Sequence, residues 1–560
     1  MVLDEFTLSR RNALGVIAAA AIPSGILAQL SDQSARDMQT VHMQRIGRYA
    51  TGEALGGAEI VAFHPPEARL FAVNSGAGQV EVLDLSDPTT PSQDTVLDAS
   101  DALASTDLAV DTVGGTNSVD VSNTLVAAAI EADPATDNGA VAFYDPASLE
   151  LVTAVEVGPL PDKVTFSPNG NYVVVANEGE PGESDPAGSV SVVNIADGAE
   201  NATVTTSTFE QYDGQEAQLR AEGVHIASAG DAPASASTAF EPEYTTVTPD
   251  STTAFVSLQE NNAIATIDLA SGDITSVDGL GFKDFSLPGN ELDTSDVDDI
   301  SLQSWPIKGM YQPDAIDTYQ VGGETFVVTA NEGDAKDFEV GILKNLSLDP
   351  AGFDLSENAY VDTVEELKQP THLGNMEVNE AAMREFADTN GDGAYSDIYA
   401  IGGRSFSVWH HTSSGLERVF DSGSKFEQVF ARKYPGGHQN TVESGPETES
   451  VTLGEIGNQT YAFVGQEKGS GITVYDVTSP GGSEYIQMVV NRDYGVTEDD
   501  LEAAAEANPD TDSPARAGDF APEGLDFVPI EDSPTDMPLL CVGFELSGTI
   551  GVFEVEPSPE

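Results

Sequence analysis

The chain has 560 residues and a formal net charge of −72, from 94 Asp plus Glu against 22 Lys plus Arg. That balance excludes nucleic acid and anionic membrane as charge-matched partners, because the cations that would neutralise phosphate are missing. The acids are spread through strands, turns and loops, so the charge reads as a whole-surface coat suited to high salt, where screening shortens to about 3 Å at 1 M.

In chain order, residues 1–28 have the layout of a twin-arginine export signal: Arg10-Arg11, an apolar run from Gly15 to Ile22, then small residues to Ala28. The run is too short for a stable membrane span. It predicts a secreted, extracellular product exported by the twin-arginine route, either free or associated with the cell surface. Residues 29–54 read as a polar lead-in and residues 55–556 as a single domain, for which the 40% hydrophobic share supplies ample core. A first strand cluster, GGAEIVAFHPPEARLFAVNSGAGQVEVLDL, and a second, NSVDVSNTLVAAAIEADPATDNGAVAFYD, both alternate with period two between Gly, Pro and Asn.

Five copies of one phrase follow: Pro then Asp or Glu, an apolar strand, a turn, a second strand, and a Glu where that strand ends. They run from Pro161 to Glu178, Pro242 to Glu260, Pro313 to Glu332, Pro446 to Glu467 and Pro522 to Glu545. Most continue into a third alternating strand, such as SVSVVNI, AIATIDL, ITVYDV or TIGVFEV. This repetition is the signature of a β-propeller of YVTN/WD40-like repeats, an all-β fold in which neighbouring blades supply the core that one sheet lacks. The segment DIYAIGGRSFSVWHHTSSGLERVFDSG lacks the Pro-acid opening. It either completes the preceding blade or forms its own, which leaves seven blades favoured and eight possible. Insertions interrupt the repeats near 198–238, 282–306, 338–395 and 494–519. The last carries an acidic, Ala-rich stretch from Glu498 to Ala507 that predicts a surface helix. Long insertions at one end of a propeller would shape its binding face.

The sharpest local motif is Asp388-Thr389-Asn390-Gly391-Asp392-Gly393-Ala394-Tyr395-Ser396-Asp397. Oxygens from Asp388, Asn390, Asp392, the Ala394 carbonyl and Ser396, with Gly393 at the tight turn, follow the spacing of an EF-hand-type calcium loop. Tyr399 stands where that loop has its bidentate Glu, so Asp397 is the candidate to close the cage. The competing account is an acidic turn among many. Repetition also places equivalent acids on rings around a channel. Glu178, Glu260, Glu332, Glu467 and Glu545 form one candidate ring, and Asp162, Glu243, Asp314, Glu447 and Glu523 the other. Crowded carboxylates raise one another's pKa unless a cation sits among them, which points to calcium or a cationic ligand. The alternative is that each acid braces a turn, copied into every blade.

Other residues carry less chemistry. Cys541, inside PLLCVGFE, reads as a packed core thiol. His410 and His411 are adjacent and point to opposite faces of a strand. Arg404 offers a phosphate or carboxylate site, with a salt bridge to a neighbouring acid as the competing account. No nucleophile with an identifiable base is present, so no catalytic residue is named.

Together the phrases VVVANEGE, EPEYTTVTPDSTTAFVSLQENNAIATIDL, KGMYQPDAI, VVTANEGDA, DTNGDG, YAIGGRSFSVW and PEGLDFVPI resemble the choice-of-anchor I family over about residues 45–555. The family is also described as mesenchyme-specific cell surface glycoprotein-like, and in places as alkaline phosphatase-like. The resemblance implies a secreted or surface β-propeller with diverse anchors or none, and carries over no catalytic residue set.

Two functions follow. The first is a secreted, salt-adapted, calcium-stabilised propeller that binds or adheres to an unknown extracellular ligand, a surface protein or a glycan, without catalysis. The alternative is a calcium-dependent phosphoesterase, phytase-like or alkaline phosphatase-like. There Glu178, Glu260, Glu332 and Glu467 would hold the metal, and Arg404 or Lys433 the substrate. The lack of a nucleophile and base leans toward the first. A quinoprotein-like oxidoreductase would want aromatic stacking on its cofactor, which Trp305 and Trp409 alone supply poorly.

Overall fold

The computed structural model describes residues 40–557, except 105, 107, 109–111, 181–185, 228–233, 337, 357, 389 and 508–515. The export signal expected at 1–28 lies outside the described residues. Among those described, no helix is long and apolar enough to cross a membrane.

Strands rich in Val, Ile and Ala are covered on both faces, and this is what joins one sheet to the next. In Tyr172–Asn177, Val174 and Ala176 share a core with Ala254 and Val256 of the following sheet. Val173 and Val175, on the other face, share one with Val141 and Phe143 of the preceding sheet. The described residues form seven four-stranded sheets and one of five strands. The seven sheets begin with Val61–His64, Val113–Val121, Pro161–Phe166, Thr245–Val247, Ile316–Val321, Val451–Ile456 and Pro522–Val528. Each of these first strands touches the next, and the last returns to the first. The fold is a β-propeller.

Closure depends on the N-terminal segment. Val41–Ala50 pairs antiparallel with Thr549–Pro557 and so becomes the outer strand of the last sheet. The expected polar lead-in is therefore partly a strand. Val41 and Met43 are 4% and 1% exposed, and the solvent-facing His42, Gln44 and Arg45 hide their alternation in sequence. The expected insertion at 198–238 likewise begins with a fourth strand, Thr203–Thr208, whose Thr-rich sequence carries no apolar run. Ser405–Thr412 pairs with Glu324–Asn331, so SFSVWHH completes the preceding sheet. The Glu498–Ala507 helix is present.

The middle insertions assemble together. Phe282–Asp284, Lys308–Met310, Tyr399–Ala400, Glu377–Asn379 and Val340–Ile342 make the five-stranded sheet, around a core that includes Trp305, Met310, Leu367 and Met376. A buried ion cluster pins this unit to the loop after helix Glu216–Ala221. His225 lies 2.6 Å from Glu385 through Nδ1 and 3.1 Å from Glu339 through Nε2, and Arg220 also pairs with Glu385. Burial opposes charge on His225, but the two carboxylates outweigh it and raise its pKa to about 9.

Replacing Met43 with Ala should lower stability by about 2–5 kcal/mol, read as a shift in denaturant midpoint in high salt. An unchanged midpoint would contradict closure by this strand. His225→Phe, which leaves the buried Glu339 without its charged partner and Glu385 with Arg220 alone, should cost about 3–5 kcal/mol. Because the folded pKa of His225 is raised, its contribution is fully present below 6.5 and fades as pH rises through about 9. The stabilities of variant and wild type should therefore converge at alkaline pH.

Candidate metal centre

The site is built where the first strand of each sheet begins. Strand pairing skips Asp162 between Pro161↔Asn177 and Lys163↔Ala176, and it skips Asn117 and Glu523 at the same place in their sheets. In the other four sheets the backbone N–H groups of Glu59, Glu243, Asp314 and Glu449 donate to Val73, Ser257, Ala330 and Gly465 at 3.0 to 3.2 Å. These seven places are equivalent, and they carry six carboxylates and one amide. Four of the five expected openings stand here: Asp162, Glu243, Asp314 and Glu523.

The fourth copy differs from expectation, because Glu449, and not Glu447, occupies the ring position. The Glu447 carbonyl accepts the Glu467 N–H at 2.8 Å, as Leu160 does for Glu178 and Ala521 for Glu545. Glu447 also shares their left-handed backbone, with φ of 50° against 47° at Leu160, 45° at Gln312 and 65° at Ala521. Pro446-Glu447 imitates the opening phrase two residues early, and Thr448 stands where the other copies have Pro. Glu59 was missed because Ala58 precedes it in place of Pro. A search for an acid two residues before the paired first strand, without requiring Pro, would have found both.

The second expected ring follows the second strands. Glu178, Glu332, Glu467 and Glu545 come one residue after strands ending at Asn177, Asn331, Gln466 and Phe544, and Glu260 two after Leu258. Two compact groups emerge where the rings meet. Carboxylate oxygens of Asp314, Glu332 and Glu449 all lie within 4.8 Å of one another, and so do those of Glu332, Glu447 and Glu467. Glu332 belongs to both. Gln259 donates to its Oε2 at 2.6 Å, while Asn440 and Ser444 donate to Glu447 at 2.9 and 2.8 Å and Lys468 sits 2.9 Å from Glu467. One buried oxygen on each of Glu243, Glu260, Glu449 and Glu523 has no hydrogen-bond partner among the described residues.

Burial first, and neighbouring carboxylates second, push Glu332, Glu449, Glu467 and Glu523 well above the usual carboxylate range. The same causes raise Asp314 to about 7 and Asp162 to about 6. Glu523 is influenced by Glu59, Glu545, Asp314 and Asp162, which come from four different sheets. The acids therefore share one poorly solvated space. A layer deeper, Asp120, Asp317 and Asp526 accept backbone N–H groups of Phe166, Leu453 and Phe63 in the next sheet at 2.7, 2.9 and 2.6 Å. Acids in this deeper layer thus brace one sheet against the next.

The choice-of-anchor I domain matches residues 59–480. The chain belongs to the choice-of-anchor I family. Relatives of this member include Gigasin-3a of Magallana gigas, 29% identical over 182 residues, which are 29% of this chain and 60% of that protein. Another is the mesenchyme-specific cell surface glycoprotein of Strongylocentrotus purpuratus, 26% identical over 239 residues, or 36% of this chain and 30% of the relative. The match thus spans less than two thirds of either relative. Among solved structures, hydrazine synthase of Kuenenia stuttgartiensis aligns with 90% of this chain and 97% of its own at TM-score 0.43 and 10% identity. The Cps50 (Swd1) β-propeller domain of Myceliophteria thermophila covers 91% and 98% at TM-score 0.41 and 9% identity.

In this choice-of-anchor I protein the Asp388 loop is folded on its own oxygens. Asp388 accepts the N–H groups of Gly391, Asp392 and Gly393 at 2.9 to 3.1 Å, Asn390 that of Asp392 at 2.9 Å, and Asp392 that of Ala394 at 2.9 Å. Ser396 donates to the Ala387 carbonyl, and Asp397 pairs with Lys308 instead of turning toward the loop. Thr389 lies outside the described residues. Arg404, 2% exposed, is held by Glu427 and the carbonyls of Asp293, Thr441 and Glu443, so its role is the internal salt bridge. Lys433 is the exposed last residue of helix Lys425–Lys433.

The raised carboxylates set a sign for pH dependence. Their folded pKa values exceed the unfolded ones, so the native state binds more protons and stability falls as pH rises between the two. For Asp314 that window runs from 3.8 to about 7, and for Glu59 and Glu241 from 4.5 to about 8. In chelator, the melting temperature should decline from about pH 5 to pH 8, and a divalent cation should flatten that slope. A melting temperature that rises over this range in chelator would contradict the burial of unbalanced acids.

Proposed function

We propose that this protein is a secreted, salt-adapted binding or adhesion module whose axial carboxylates hold calcium. The observation that carries the reading is the pair of oxygen triads sharing Glu332. Every donor in them is a carboxylate oxygen, the hard ligand that calcium prefers, and the unpartnered oxygen on Glu449 supports a missing cation. Asp314 and Glu332 belong to the fifth four-stranded sheet, and Glu447, Glu449 and Glu467 to the sixth. A cation among them would tie two blades together and stabilise the native state by mass action. The Asp388 loop is the second candidate for calcium. Family membership and the name of the Strongylocentrotus purpuratus relative, a cell surface glycoprotein, support an extracellular setting, and Arg10-Arg11 supports export by the twin-arginine route. The charge of −72 supports a saline one. The phosphoesterase alternative loses Arg404 to its internal salt bridge.

Calorimetric titration with calcium chloride, in molar potassium chloride after chelator treatment, tests the reading. Wild type should bind with a rise in melting temperature. Glu332→Gln should weaken the axial binding at least tenfold and abolish most of the rise, whereas Asp388→Ala should remove at most the loop's own share and leave the axial binding. No binding, or equal binding by wild type and Glu332→Gln, would overturn it.

A further inference from the structure

A cleft of about 850 Å³ opens between the inserted five-stranded unit and helix Lys425–Lys433, and it shares no residue with the axial carboxylates. Its volume falls within the roughly 300–1,000 Å³ of small-molecule sites. The wall is polar, carrying the planar side chains of Gln303, Asn358, Gln428 and Arg432. Tyr360 also lines it and is 50% exposed, although its ring lies 6.0 Å from that of the buried Trp305. A half-exposed aromatic held beside another ring offers surface on which a ligand can stack.

Two further observations point to a hydrogen-bonding ligand. The side-chain oxygen of Gln303, which lines the cleft, is buried and lacks a partner among the described residues. In a chain with 94 acids and 22 Lys plus Arg, Arg432 forms no ion pair among those residues. It sits one helical turn after Gln428, so the two side chains share one face of the helix. Amides, each with a donor and an acceptor, and a guanidinium with paired donors match neighbouring hydroxyls, and an aromatic face matches the C–H face of a pyranose. An apolar ligand would gain little from such a wall.

We propose that this cleft binds saccharide, with Tyr360 as the stacking platform and Arg432, Gln428 and Gln303 on the hydroxyl-bearing edge. The site is independent of calcium at the axis, so either proposal can fail alone. The test uses the mature full chain in high salt, titrated with cellohexaose, maltohexaose and tetragalacturonate as probes, beside Tyr360→Ala and Arg432→Gln. Both positions are exposed, so melting temperatures should match wild type and separate binding from folding. Wild type should bind at least one probe, and Tyr360→Ala should weaken it tenfold or more. If the preferred probe is the uronate, Arg432→Gln should cost more for it than for a neutral sugar; if a neutral sugar, the loss should be similar for all. Failure of wild type to bind any of the three, or unchanged binding by Tyr360→Ala, would overturn the proposal.

Discussion

Like charges forced toward one axis are the constraint on which the rest of this molecule turns. Closing seven sheets into a ring brings equivalent residues face to face, and here six of the seven places carry a carboxylate. Two such charges 4 Å apart repel by about 4 kcal/mol at an effective dielectric of 20. Three things offset that cost. Protons are held by the raised pKa values, Lys163 lies buried beside Asp162 with its ammonium 4.3 Å from the Tyr244 ring centre, and calcium in the oxygen triads, as proposed, would supply the third.

The scaffold that tolerates this crowding is held by features away from it. Each sheet shares apolar cores with both neighbours, and strand Val41–Ala50 joins the two chain ends in one sheet. Asp120, Asp317 and Asp526 stitch first strands together through backbone N–H groups. Acids thus do two kinds of work at two depths. The deeper ones are satisfied by the backbone and serve the fold. At the ring, Glu243, Glu449 and Glu523 each keep a buried oxygen with no hydrogen-bond partner among the described residues.

The repeat was legible because strands buried on both faces leave the same near-continuous apolar runs in every copy. What escaped reading had no such mark. Val41–Ala50 alternates between buried apolar and exposed polar residues over one edge only, and Thr203–Thr208 is an outer strand with little to bury. Glu449 was displaced by a local imitation, since Pro446-Glu447 resembles the opening phrase although its backbone belongs to the preceding turn. The meeting of Asp314, Glu332 and Glu449 joins residues more than a hundred positions apart, so ring closure was needed to see it. The five-stranded insertion sheet, with one parallel pairing between Lys308–Met310 and Tyr399–Ala400, follows no repeat at all.

The most direct measurement is diffraction from crystals of the mature chain grown in calcium and high salt, with data collected at long wavelength to reveal calcium by its anomalous scattering. The predicted result is a peak at the axis, about 2.3–2.6 Å from oxygens of Asp314, Glu332 and Glu449 or of Glu332, Glu447 and Glu467. Well-ordered carboxylates there with no anomalous peak among them would contradict a cation as the element that balances the ring.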